Sequence, residues 1–146
     1  MAALLWNRLA AFLTDEGVTL TRCALDQGNG VYFPLTSLII VRGDQAAKTL
    51  AHECAHHVAL THAIGQHEAS RADAETIAEG AAFATLARCG IDTGDYSFPY
   101  VAAWAADRAV VTRNLAAIRE TAATLIAAIE GEPDTGSGGR AARGVR

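Results

Sequence analysis

Apolar and polar positions divide the chain into helical and extended stretches. Leu5, Leu9, Phe12 and Leu13 recur at the spacing of one helix face, and Gly17 stands where a helix end favours a positive φ. A first amphipathic helix is predicted there. Val18-Thr19-Leu20-Thr21 alternates, while Gly30-Val31-Tyr32-Phe33 and Ser37-Leu38-Ile39-Ile40-Val41 are rich in β-branched residues. With turn chemistry at Asp26-Gln27-Gly28-Asn29-Gly30 and Pro34-Leu35-Thr36, these segments predict three strands of a small antiparallel sheet. Asp44 can cap a helix from about Gln45 to near Thr61, ending before Gly65. Ser70 or His67 opens an Ala-rich helix that reaches Cys89 and stops at Gly90. Phe98 to Ala105 fits a short helix, and a long one begins at Asp107, carries Val111, Leu115, Ile118, Leu125 and Ile129, and ends at Gly131. Residues 132–146 mix Pro, Gly, Ser and Arg without an apolar period and predict a disordered tail. The expectation is a single α+β domain over residues 1–131, its sheet packed on helices.

Composition narrows this picture only slightly. A chain of 146 residues, 51% hydrophobic, can bury one core but not two. The apolar start, Met1 to Leu13, is interrupted by Arg8, and Thr14-Asp15-Glu16 stands where a signal peptide needs small residues for cleavage. No run reaches the roughly 18 apolar residues of a membrane span, so no membrane partner is expected. A formal charge of −4 supplies no basic surface for phosphates, so no nucleic-acid binding is expected of this chain alone. Cys23, Cys54 and Cys89 are odd in number and widely spaced, which suits neither a disulfide framework nor a zinc finger and predicts a reducing, cytoplasmic setting.

Chemistry concentrates in His52-Glu53-Cys54-Ala55-His56, an H-E-x-x-H sequence on a predicted helix. Positions four apart share a helix face, so both imidazoles can meet one metal ion. Zn²⁺ suits two neutral nitrogens and a third protein ligand, with a fourth position left for water whose pKa falls toward about 7. Glu53 is then the candidate catalytic residue, a general base for that water in peptide hydrolysis. His62 gives a spacing close to that of metzincins, but Ala59 stands where that pattern needs a helix-breaking Gly, and the downstream methionine turn is missing. His57, His62 and His67 are read as surface residues or as satisfied polar groups near the helix end. A carboxylate from the following helix is the better third ligand. Glu75 and Glu79 lie four apart on a face shared with Ala82 and Leu86, and an acid on such a face is costly to bury unless paired or bound to a cation. Either could reach, while Asp73 is read as a cap or surface charge. Phe98, Tyr100 and Trp104 suit core packing and receive no catalytic role. Cys54 is read as a small buried apolar residue.

With these residues in place the sequence resembles the ImmA/IrrE-type zinc metallopeptidases, and especially the peptidase domain of ArdC-type antirestriction proteins. The likeness is carried by Gly30-Val31-Tyr32-Phe33-Pro34, Ser37-Leu38-Ile39-Ile40-Val41, Lys48-Thr49-Leu50-Ala51-His52-Glu53, Glu79-Gly80-Ala81-Ala82-Phe83-Ala84 and the stretch from Asp95 to Ala105. The resemblance implies a zincin-like metallopeptidase fold, a zinc held by His52, His56 and Glu79, and Glu79 rather than Glu75 as the third ligand. It also implies a protein or peptide substrate such as a transcriptional regulator, cleaved in stress or mobile-element regulation, or an accessory role in antirestriction. ArdC-type proteins carry an N-terminal single-strand DNA-binding domain, which nothing here resembles, so DNA binding is not inherited. The alternative function is a non-catalytic, zinc-containing interaction module. A purely structural site would be expected to close with a fourth protein ligand and would have no use for Glu53.

Overall fold

The computed structural model describes residues 2–25, 27–43, 47–62, 64, 70–94 and 108–131. The expected Asp44 cap, the short helix over Phe98 to Ala105 with its aromatic residues, His67, the Asp107 helix start and the 132–146 tail lie outside the described residues. Among those described, the order is α1 (Ala2–Asp15), β1 (Thr19–Cys23), β2 (Gly30–Phe33), a 3-10 turn (Pro34–Thr36), β3 (Leu38–Arg42), α2 (Ala47–Thr61), α3 (Arg71–Arg88) and α4 (Arg108–Glu130). The class is α+β.

Leu5, Leu9 and Leu13 form the buried stripe of α1, as their four-residue spacing requires. The helix ends in a Schellman arrangement. Gly17 takes a φ of 73°, its N–H donates to Thr14 O, and Val18 N–H reaches back to Leu13 O. The same device ends α3 at Gly90, where Gly90 N–H donates to Ala87 O and Ile91 N–H to Leu86 O.

The sheet corrects one expectation: it is mixed, not antiparallel. Its order is β1-β3-β2, with β2 antiparallel and β1 parallel to β3. The 3-10 turn joins β2 directly to β3 and forces that pair to be antiparallel, with Ser37 in the left-handed region. The β1 direction is set elsewhere. The tight end of α1 delivers Thr19 beside Ser37, whose carbonyl accepts the Thr19 N–H, so β1 starts at the same end as β3. The chain then passes to the far edge before returning as β3, which fills the slot between. Central β3 buries Ile39 and Val41 completely, in keeping with its β-branched sequence.

Helix α2 packs against β2, β3, α1, α3 and α4. It is buried on nearly every side, with Leu50, Ala51, Cys54, Ala55 and Val58 in the core. Cys54 sits there as a small buried side chain, and burial pushes its thiol pKa up, which leaves it inert as a nucleophile. Cys23, Cys54 and Cys89 are all free thiols. No helix among the described residues is long and apolar enough to cross a membrane.

Helices α3 and α4 meet at Asp73 with Arg113 and Asn114 and at Arg88 with Glu130, so they run in the same direction. The inner face of α4 is Val110, Asn114, Ala117, Thr121, Leu125 and Ile129, whereas Leu115 is 55% exposed. Polar Asn114 displaces the more apolar register because Asp73 needs it. Ser70 and Asp73 form a capping box at the start of α3, and Asp73 Oδ1 also accepts from Arg113 Nε at 2.9 Å and Asn114 Nδ2 at 2.7 Å. Asp73 is thus a cap, as read from the sequence, but a buried one.

The Arg113, Asn114 and Ser70 hydrogen bonds hold the Asp73 carboxyl well below the usual carboxylate range. A depressed folded-state pKa gives stability that is fully present above the unfolded value of about 3.9 and is lost as the pH falls below it. Asp73→Asn is therefore expected to cost about 1–3 kcal/mol at pH 7, from the cap and the weakened α4 contacts. Urea unfolding of both proteins at pH 7 and pH 3 checks this: the gap should narrow in acid, and a constant gap would remove the assigned charge role.

Candidate metal centre

The centre of α2 faces a cleft of about 570 Å³, with β2 forming one wall and the first half of α3 another. On α2, four-residue spacing stacks His52 and His56 on this face, as the helix period dictates. Their Nε2 atoms lie 3.1 Å apart. Glu75 of α3 closes the group, with Oε2 at 3.1 Å from His52 Nε2 and Oε1 at 3.4 Å from His56 Nε2. His52, His56 and Glu75 form a group that could hold a metal ion.

Glu79 is brought to the other side of His52. Its Oε2 accepts from His52 Nδ1 at 2.6 Å, and its Oε1 pairs with Lys48 Nζ at 3.1 Å. One Glu79 oxygen faces His52 Nδ1 and the other Lys48 Nζ, so in this arrangement Glu75, and not the Glu79 expected from the resemblance, completes the group that could hold an ion. The placement of Glu79 on an apolar helix face is explained by the His52–Lys48 partnership instead, since Glu79 is fully buried and needs it.

This arrangement fixes the chemistry of His52. A carboxylate can only accept, and the contact to Glu79 at Nδ1 is shorter than that to Glu75 at Nε2, 2.6 against 3.1 Å, so the proton of a neutral ring lies toward Glu79 and leaves the Nε2 lone pair for a cation. Three acceptors then converge: His52 Nε2, His56 Nε2 and the Glu75 carboxylate. Such a group is repulsive unless a proton or a cation sits among them. Burial disfavours a charged His52, but hydrogen bonds with Glu75 and Glu79 and the charges of Glu53 and Glu79 outweigh it, raising its pKa to about 9. A bound cation would take the place of the proton that this raised pKa favours.

Glu53, next to His52 on α2, is 7% exposed and borders the cleft beside Gly30. A Cβ on Gly30 would lie 2.7 Å from Thr49 Cγ2 and 3.3 Å from Glu53 Oε1, so β2 approaches α2 this closely only because residue 30 lacks a side chain. Burial pushes the Glu53 carboxyl pKa up, the nearby His52 and His56 pull it back, and Glu75 and Glu79 raise it further. A carboxyl of raised pKa at the edge of a cleft suits proton transfer.

The other described histidines, His57 and His62, stay outside the group. His57 is buried on another face of α2, where Tyr32 Oη lies 2.9 Å from Nδ1 and Glu16 Oε1 3.3 Å from Nε2. It is a satisfied polar group that ties β2 and Glu16, just past the end of α1, to α2. His62 is exposed at the helix end. Lys48 and Gly30 stand in segments that carry the sequence resemblance, with no role of their own assigned there. Lys48 carries a usable signal, since it precedes His52 by four residues and so shares its face; Gly30 offers only a glycine opening a strand.

Comparison of the chain with known proteins returned no matching family model, no matching curated protein and no matching solved structure.

Proposed function

We propose that this protein is a zinc-dependent metallo-endopeptidase of the ImmA/IrrE type, in which His52, His56 and Glu75 hold the metal, Glu79 orients His52, and Glu53 is the general base. The observation that carries the reading is the convergence of the three donors at separations of 3.1 to 3.4 Å. Donors around a tetrahedral zinc with bonds of about 2.0–2.1 Å are separated by about 3.3 Å, so the residues present fit the ion. Bound there, zinc would supply a Lewis acid and a water of lowered pKa.

The remaining chemistry belongs to the chain. Glu53, with its raised pKa, takes a proton from the attacking water and returns it to the leaving amine. Glu79, braced by Lys48, holds the His52 ring with Nε2 toward the ligand group, the usual role of a carboxylate behind a metal-binding imidazole. β2 is an end strand of the sheet and lines the cleft, so it offers backbone groups to an extended peptide. A protein regulator is the proposed source of that peptide, on the ground of the sequence resemblance.

A non-catalytic module is the weaker account. Among the described residues the group has three protein ligands and an open cleft, with a buried base at its edge; a structural zinc closes its coordination with a fourth ligand. Elemental analysis is expected to find about one zinc per chain in the wild type and none in His56→Ala. A wild type that takes up no zinc after reconstitution would sink the proposal.

Gly30→Ala tests the Glu53 assignment from the side. The new methyl crowds Thr49 and Glu53, the side chains nearest to it. Zinc content is expected to stay, and peptide turnover to fall on the order of tenfold to a hundredfold. Unchanged turnover would mean that the Glu53 position is not critical.

A further inference from the structure

The cleft is not chemically uniform along α2. At its start stand Lys48, Glu53 and Glu79, and His52 and His56 occupy the middle. Leu60 continues the same four-residue series at the far end, one turn beyond His56, and is 43% exposed. β2 keeps step with the helix: Gly30 lies against Thr49 and Glu53, Tyr32 reaches His57, and Pro34 lines the cleft together with Leu60. The turn that carries Pro34 also leaves Phe33 42% and Leu35 100% exposed. Lone exposed leucines are ordinary, but this one shares a face with His52 and His56 and lines the same cleft as Pro34.

We propose that Leu60 and Pro34 form an apolar subsite that selects a large aliphatic or aromatic side chain near the bond cleaved, an inference that rests on the metallopeptidase reading above. The helix rise places Leu60 about 6 Å beyond His56. An extended peptide advances about 3.3 Å per residue. A carbonyl held at the ligand group therefore sets the side chain one or two residues away over Leu60. A charged side chain there would lose water against two apolar groups and gain no partner from them, whereas an apolar one is favoured by burial.

The test uses zinc-loaded protein and short peptide hydroxamates, which anchor on the metal, in two series with the varied side chain on either side of the hydroxamate. Within each series an isobutyl group is compared with methyl by calorimetry. In the wild type, one series is expected to show the isobutyl compound binding tighter by on the order of tenfold. In Leu60→Ser that preference should shrink to within about twofold, with zinc content and the methyl compound's affinity unchanged. Equal affinities in both wild-type series, or a preference that survives in Leu60→Ser, overturns the subsite alone. Failure of the wild type to hold zinc or to bind any hydroxamate overturns the metallopeptidase reading, and the subsite with it.

Discussion

Glu53→Gln is expected to give a folded, zinc-loaded protein that cleaves peptides about 10²- to 10⁴-fold more slowly than the wild type. The amide is close in size to the carboxylate, so the contact with Gly30 is kept. It has no basic oxygen, so the proton of the attacking water has nowhere to go. Glu53 lies outside the donor group, which predicts undiminished zinc. Stability should not fall, because the change removes a negative charge that burial, and then Glu75 and Glu79, disfavour. Cleavage of a proteome-derived peptide mixture followed by mass spectrometry, with zinc measured on the same samples, checks both halves. Equal cleavage by the two proteins would take the base role from Glu53.

The second large effect separates the two glutamates of α3. Glu75→Ala removes a proposed ligand and is expected to abolish stoichiometric zinc. Glu79→Gln is expected to weaken zinc by about 10- to 100-fold, the usual cost of losing a carboxylate behind a metal-binding imidazole, and to leave binding measurable. Gln is preferred to Ala at position 79 because Glu79 is fully buried and its amide oxygen can still accept from His52 Nδ1. Competition with a chromophoric chelator gives both affinities. If Glu79→Gln strips the metal while Glu75→Ala retains it, the two assignments exchange.

Much of this was legible in the residues alone. Four-residue spacing on one helix is a local property, so His52 and His56 share a face in any fold that keeps α2 helical. The stops at Gly17 and Gly90 are equally local, because each needs only a residue that tolerates positive φ and two backbone hydrogen bonds. The leucine stripe of α1 and the β-branched run of β3 also mark their buried faces without reference to any neighbour.

What the sequence left open involves a second element each time. A carboxylate on an apolar face signals that a partner exists but not which one, and only the packing of α3 on α2 gave Glu75 to the Nε2 pair and Glu79 to Nδ1 and Lys48. The direction of β1 depends on where α1 ends beside Ser37, and the face of α4 on a hydrogen bond to Asp73, neither of which has a periodic trace. The sequence by itself determined which side chains each helix and strand presents together. Only the tertiary structure decided which of those faces meet, because contacts between elements are set by packing angle and register, quantities that no local spacing encodes.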